Sequence, residues 1–168
     1  TRAEPADYDR ASAILGTAIK AHSESLIIND LRFDYANSLM ARTEPDWEEA
    51  LASLTLLRAE NDFGQQGEVL SQISVCQQKL GKNEESLVSN NKFLAEHSEH
   101  RLVAEARFMK AENLFLLGRR DEASKSYAAF LDAHAEHPNR LAAIFRQAQI
   151  HHAEGRWAEC IETSAAIV

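Results

Sequence analysis

Three glycines, Gly81, Gly118 and Gly155, recur at a fixed spacing of 37 residues along this chain of 168. Their surroundings keep the same phase, and Phe93 and Phe130, for example, also lie 37 residues apart. A repeat of roughly 20 to 50 residues is typical of proteins that stack one small structural unit many times. The spacing therefore predicts a linear array of repeats rather than one closed core.

Each glycine is followed by a polar stretch that ends on a small residue. Extended towards the N-terminus, this phase places small residues at Ala11, Ala50, Ser86, Ala123 and Cys160. Small side chains let two helix backbones approach closely where they cross. We expect one array over residues 1–168, divided into 1–24 (the second helix of a truncated repeat), 25–62, 63–99, 100–136 and 137–168 (truncated at its end).

The hydrophobic pattern within a repeat is helical. Apolar residues recur at spacings of three and four from Ala104 to Phe115, and the pattern stops at Gly118 as at a helix C-terminus. With only 6 Gly, 3 Pro and 45% hydrophobic residues, the composition argues against a β-sandwich and against a disordered chain. Short connections would make consecutive helices antiparallel. The expected fold is all-α, with about nine helices at 5–22, 26–41, 46–60, 67–80, 83–96, 101–117, 120–134, 139–154 and 156–168.

Charge and cysteine content narrow the range of partners. The chain carries 18 Lys and Arg against 26 Asp and Glu, a net charge of −8, so we do not expect it to bind nucleic acid. It has no apolar run of the ~18 residues that a membrane helix needs, so we expect no membrane insertion in this segment. Cys76 and Cys160 have no CxxC partner and are expected to be small buried thiols.

The seven histidines suggest a metal site, above all the pairs His97 with His100 and His134 with His137. A spacing of three can place two imidazoles on one helical face, but a metal site needs a third or fourth ligand. The two pairs are copies of one junction, and copies in stacked repeats lie about a helix diameter (~10 Å) apart. We therefore expect no metal and no cofactor. No catalytic motif occurs either, so we do not expect an enzyme.

The repeats resemble tetratricopeptide repeats. The resemblance rests on Gly118 and the polar and acidic residues leading to Ala123, on Ala111 and Leu114 in the first helix, and on the helix-ending Pro138. The 37-residue spacing is similar to a longer variant found in bacterial envelope proteins, such as outer-membrane assembly lipoproteins and Tol-Pal coordinating proteins. The resemblance implies an alpha-alpha superhelix (solenoid), favours a bacterial protein, and favours the envelope or periplasm over the cytoplasm.

The resemblance also implies a protein-interaction scaffold, in which the first helix of each repeat lines a concave face that binds a peptide or a partner protein segment. The family's inward positions map onto Phe33, Asn37, Glu105, Phe108, Glu112, Phe115, Phe145, Gln149 and His152. Phe108, Phe115 and Phe145 would anchor an apolar side chain of the partner, or would instead pack as core between first helices. Glu105 and Glu112 would receive its Lys or Arg.

Two further hypotheses concern the wider role of the chain. It could be a ligand-sensing or regulatory module, in which a small molecule or peptide shifts the superhelical pitch. The chain also starts on an unpaired second helix near Tyr8 and ends inside another, which predicts a piece of a larger protein or end-to-end self-association.

Overall fold

A computed structural model describes residues 7–60 and 63–165, which form nine α-helices and no strand. The helices are α1 (Tyr8–Ala21), α2 (Ile28–Ala41), α3 (Trp47–Ala59), α4 (Gln66–Lys79), α5 (Asn83–Glu96), α6 (Val103–Leu116), α7 (Arg120–Ala133), α8 (Arg140–Ala153) and α9 (Trp157–Ala165). The predicted all-α fold is confirmed, and the predicted helix ends within the described residues agree to about two positions. The predicted ends at Pro5 and Val168, and the repeat boundary at residue 62, lie outside the described residues.

The chain divides into two compact units, Thr1–Lys82 and Asn83–Val168. In unit 1, α1 packs against α2, α2 against α3, and α3 against α4. In unit 2, α5 to α9 pack in the same consecutive manner. The predicted single array and its repeat boundaries stay predictions. None of the helices formed by the described residues is long and apolar enough to cross a membrane.

The three phased glycines each end a first helix. Gly81, Gly118 and Gly155 have φ of +74°, +73° and +70°, the left-handed region that side chains with a Cβ rarely adopt. At the second turn the N–H of Gly118 donates to the carbonyl of Phe115 (3.0 Å) and the N–H of Arg119 donates to that of Leu114 (2.9 Å). This pair of bonds is the Schellman motif, which satisfies the last carbonyls of a helix. The glycine period in the sequence therefore marks the turn from a first helix to a second helix.

The core of unit 1 lies where α2, α3 and α4 meet. Ala36 of α2 and Ala50 of α3 are fully buried, as expected for small residues at a helix crossing. Leu54, Leu57 and Val69 are also fully buried around them. Apolar surface removed from water in this way supplies most of the free energy that holds such a fold together.

The core of unit 2 is built around two aromatic residues of α7, Tyr127 and Phe130, which are fully buried. Ala111 and Ala123 are buried beside them at the α6–α7 crossing. On α5, Ser86 takes the small-residue position and accepts a hydrogen bond from the side-chain amide of Asn113 (2.8 Å). The serine therefore serves both packing and hydrogen bonding.

The two cysteines differ in burial. Cys76 is fully buried, and this burial raises the pKa of its thiol to about 11. Cys160 is only half-buried, so the prediction that both thiols are buried is wrong for this residue. The difference follows from position, because Cys160 lies on α9 and lines a surface groove.

Candidate functional site

The predicted binding residues of unit 1 are engaged within the fold. Phe33 is 9% exposed, and its ring packs at a tilt against that of Phe63 with the centroids 5.6 Å apart, so it is a core residue and not an accessible contact. Its prediction as a partner contact is corrected accordingly. Asn37 is half-buried, and its side-chain carbonyl accepts a hydrogen bond of 2.6 Å from the side-chain amide of Gln72 on α4.

Two of the predicted aromatic anchors of unit 2 pack largely against its core. Phe108 is half-buried, with its ring 5.5 Å from that of Phe130 and 6.2 Å from that of Tyr127. Phe115 is also half-buried, and the guanidinium of Arg146 lies over its ring at 4.7 Å from the centroid. For Phe108 the core alternative therefore describes the packing better than the anchor hypothesis does.

Glu112 is already paired within the protein. Its carboxylate accepts hydrogen bonds from Nε of Arg146 (3.0 Å) and from a terminal guanidinium nitrogen of the same residue (3.3 Å), and also from the hydroxyl of Tyr127. Arg146 in turn donates to the side-chain carbonyl of Gln149 (3.1 Å). The prediction that Glu112 is free to receive a partner's Lys or Arg is therefore wrong, because the chain supplies that cation itself.

This network affects the ionisation of its members. Burial, together with the hydrogen bond to Glu112, raises the pKa of Tyr127 far above its ordinary value. The hydrogen bond to Glu112 also raises the pKa of Arg146. The hydroxyl of Tyr127 and the guanidinium of Arg146 therefore both donate to Glu112, a charge-assisted arrangement that needs no external counter-ion.

Glu105 remains available at the surface of α6. Its side chain is half exposed, and one carboxylate oxygen lies 3.4 Å from Nε2 of His137. Nδ1 of the same imidazole accepts the backbone N–H of Asn139 (3.1 Å). Since Nδ1 accepts a hydrogen bond, the neutral form of His137 carries its proton on Nε2, facing Glu105.

The remaining three predicted contacts come together on α8. Phe145, Gln149 and His152 line one groove of about 480 Å³, which is completed by Ala148, Cys160 and Ser164. Phe145 is 54% exposed, so its ring is open to a partner. His152 is also exposed, and its ring meets that of Trp157 edge-on at 4.9 Å. We call this surface the α8 groove.

Arg146 and Tyr127 are the site residues that the sequence mapping missed. A signal for Arg146 was present, because it lies two repeat lengths after Gln72. Gln72 donates back to Asn37 on the preceding first helix, and Arg146 donates back to Glu112 in the same way. A polar residue at this phase is therefore the donor of a recurring contact. On the α9 side of the groove, Cys160 holds the phased small-residue position, but that phase predicts helix packing and gives no signal that Cys160 or Ser164 lines a groove.

The paired histidines form helix junctions. The rings of His134 and His137 lie 5.5 and 5.3 Å from that of Phe130, and those of His97 and His100 lie 5.6 and 5.5 Å from that of Phe93. Among residues 7–60 and 63–165, no three His, Cys, Asp or Glu side chains are placed to hold a metal ion. Each pair packs on an aromatic ring, and its second histidine, His100 or His137, accepts a backbone N–H of the following turn.

No protein-family model and no curated protein matches this chain. Solved structures do match, at low sequence identity. A Podosopora anserina protein with nearly identical TPR-like repeats superposes with a TM-score of 0.74 at 18% identity, over 95% of this chain and 85% of its own. A tetratricopeptide repeat protein from Parabacteroides merdae gives 0.74 at 18% identity, over 95% of this chain and 59% of its own.

A third match is YrrB, described as a TPR protein with an unusual peptide-binding site, which superposes with a TM-score of 0.69 at 17% identity. The match covers 93% of this chain and 74% of YrrB. These likenesses show the fold. The chain has the helical-repeat architecture of tetratricopeptide-like proteins, as the glycine phase and the paired helices predicted.

Proposed function

We propose that this chain is a protein-interaction scaffold. In this proposal the surface lined by the first helix of each repeat, which we call the first-helix face, binds a peptide or a segment of a partner protein. The observation that carries the proposal is Phe145, a large aromatic ring left 54% exposed beside Gln149 and His152 in the α8 groove. Exposed aromatic side chains in an apolar groove are typical binding anchors. The peptide-binding site described for YrrB supports this use of the fold.

The chemistry of the face specifies the segment that it fits. The α8 groove takes an apolar or aromatic side chain, because its lining is mostly apolar. Glu112 does not select a cation, since Arg146 already neutralises it. Glu105 is exposed and can accept a Lys or Arg of the partner. The segment that fits best therefore carries an apolar anchor and a single basic residue.

Photocrosslinking tests this proposal directly. A photoreactive amino acid at position 149 should form adducts with the partner in extracts of the source cell. The same amino acid at position 26 should not, because Leu26 is fully exposed in unit 1 and does not line the α8 groove. Phe145→Ala should abolish the adduct at 149, whereas the matched Leu26→Ala should leave it unchanged. Equal crosslinking from both positions would contradict the assignment.

The ligand-sensing alternative finds support in the size of the α8 groove. Its volume of about 480 Å³ lies within the range of ~300–1,000 Å³ found for small-molecule sites. Thermal unfolding of the protein with a set of small metabolites distinguishes the two. A stabilising metabolite whose effect is lost in Phe145→Ala favours a sensor, whereas no stabilisation favours the scaffold.

The proposal also covers the cellular compartment in which the scaffold acts. The 37-residue phase supports the longer bacterial repeat variant, and with it the bacterial envelope or periplasm as the site of action. Fractionation of the source cell, with immunodetection of the protein, tests this extension. Recovery with the cytoplasmic fraction alone would contradict it.

A further inference from the structure

A second groove lies on the other side of α6, in unit 2. Its residues come from α5, α6, α7 and the turn before α7, and they are Leu87, Asn91, Lys110, Leu114, Arg119, Glu122, Lys125 and Ser126. Lys110 lies two positions from both Phe108 and Glu112, which is about 200° around a helix of 3.6 residues per turn. This groove is therefore a separate surface from the first-helix face. We call it the basic groove.

Positive charge dominates the basic groove. Its one carboxylate, Glu122, accepts two hydrogen bonds of 2.8 Å from Arg119 and is thereby neutralised. The ammonium groups of Lys110 and Lys125 make no hydrogen bond or ion pair with any carboxylate in the part of the chain that the structure describes. Lys110 and Lys125 act on Glu122 only through their charge, so with Arg119 the groove lining carries three cations against one carboxylate, in a chain whose net charge is −8.

Comparison between repeats shows that packing does not require these lysines. One repeat earlier, the position of Lys110 is held by Ile73, which is buried in the core of unit 1. The position of Lys125 is held by Val88 one repeat earlier and by Glu162 one repeat later. Residues that packing needs recur with the repeat, as the phased glycines do. A cation that one repeat alone carries is available for another role.

The size and floor of the groove restrict its occupant. The volume is about 270 Å³, just below the ~300 Å³ at which sites for whole small molecules begin. The floor is formed by Leu87 and Leu114, and the cations stand at the edges with the polar side chains of Asn91 and Ser126. A bare inorganic anion would leave this apolar floor uncovered. A short peptide segment covers the floor with an apolar side chain while its carboxylates reach the lysines.

We propose that the basic groove binds an acidic peptide segment, with an apolar side chain on Leu87 and Leu114 and flanking carboxylates at Lys110 and Lys125. The inference does not depend on the first-helix face, since the two surfaces share no residue. The positive charge of the groove complements the carboxylates of the segment locally and disfavours basic segments. The chain would then hold two different segments at once.

A fluorescent peptide of sequence Glu-Leu-Asp-Leu-Glu is a suitable probe, and fluorescence anisotropy with the full chain measures its affinity. Its amide analogue, Gln-Leu-Asn-Leu-Gln, is the matched control. The acidic peptide should bind at least about tenfold more tightly than the analogue, and the difference should shrink as salt rises from about 50 to about 500 mM. Equal binding of the two peptides would overturn the proposal.

Charge-neutralising variants locate the site. Lys110→Gln combined with Lys125→Gln should weaken binding of the acidic peptide by at least about tenfold. Lys20→Gln combined with Lys82→Gln removes the same charge from exposed positions of unit 1 and should leave the affinity unchanged. Equal losses in the two pairs would mean a non-specific charge effect and would overturn the proposal.

Inorganic phosphate separates a simple anion site from a peptide site. If phosphate at millimolar concentration displaces the peptide as well as an excess of unlabelled peptide does, the groove is an anion site only and the peptide assignment fails. Circular dichroism of the Lys110→Gln, Lys125→Gln variant checks that its helices are intact. Because Phe145→Ala leaves this groove untouched, failure here is distinguishable from failure of the function proposed for the α8 groove.

Discussion

At the scale of single residues, the carboxylate of Glu112 shows what sequence reasoning reaches and what it leaves out. The repeat phase placed Glu112 correctly on the face of α6 that also carries Phe108 and Phe115. The phase could not show that Arg146 of α8 reaches across to Glu112, because a side-chain contact depends on three-dimensional distance and rotamer. A face can therefore be predicted from periodicity, whereas the charge that it presents cannot.

Tyr127→Phe tests the value of the network around Glu112. The ring is fully buried and its hydroxyl donates to the Glu112 carboxylate, so the variant removes one charge-assisted bond and leaves the packing intact. We expect the free energy of unfolding to fall by about 1.5–3 kcal/mol, as for hydrogen bonds to charged groups. Urea denaturation measures the change.

Tyr35→Phe is the matched control for this prediction. Tyr35 is half-buried and also donates to a carboxylate, but over 3.3 Å to the exposed Glu49. We expect that variant to lose no more than about 0.5 kcal/mol, as for substitutions at the surface. Losses of the same size in both variants would mean that the hydrogen bond to Glu112 contributes no more to stability than the surface hydrogen bond to Glu49.

At the scale of the helices, most of the structure could be predicted because the signals are local. The glycines fix the ends of three first helices, and the spacing of three and four fixes the faces. Exposure is different: Phe33, Phe108 and Phe145 hold the same repeat position, yet Phe33 is buried under Phe63 and Phe145 is open. The burial of a side chain depends on the neighbouring residues that cover it, and the hydrophobic pattern of its own helix does not contain that information.

Gly118→Ala tests the role of the phased glycines. The backbone φ of +73° is strained for alanine, while no atom lies within 4 Å of the added Cβ, so the cost is conformational alone. We expect a loss of about 1–2 kcal/mol in unfolding free energy. Gly64→Ala is the control, because Gly64 has equal space around it and no positive φ. If the two variants unfold alike, the turn does not need glycine.

The junction between α7 and α8 should make stability depend on pH. Burial, and then the charge of Arg107, holds the pKa of His134 below its ordinary value of 6.5. As pH falls from about 7 to about 5, the unfolded chain gains this proton first, so the free energy of unfolding falls. His134→Gln should make the fall shallower over that range, as measured by urea denaturation at several pH values.

Arg107→Gln should also reduce the slope, because it removes the second cause of the lowered pKa while leaving the imidazole in place. Its effect should be smaller than that of His134→Gln, since burial is the larger cause. A His134→Gln protein with the slope of the unchanged chain would show that this histidine does not contribute.

At the scale of the whole molecule, the first and last helices carry apolar surface. Ile14 on α1 is 58% exposed and Ile161 on α9 is 71% exposed, and each helix borders a groove. Self-association through these two exposed faces stays a prediction. Contact between two different faces is heterologous and generates chains of molecules, whereas contact between identical faces closes into dimers.

Complementation between two variants tests this prediction. Ile14→Asp and Ile161→Asp should each remove concentration-dependent association, because each disables one of the two faces. A mixture should recover association, but only as far as a dimer, since one intact face of each kind remains. Analytical ultracentrifugation of each variant and of the mixture measures this. A mixture that stays monomeric, while the unchanged chain associates, would contradict head-to-tail contact.

At the glycine turns, the backbone sets the bend between the helices, and the side chain of the next residue is left for recognition. The bend between the helices of a pair is set by backbone bonds at Gly81, Gly118 and Gly155, and the residue that follows each glycine contributes its N–H to the bond that closes the turn. That next residue is Lys82, Arg119 or Arg156, and its side chain can change without altering the bend. Arg119 occupies such a position at the edge of the basic groove, so a repeat of this kind can acquire or lose a recognition residue while its architecture stays constant.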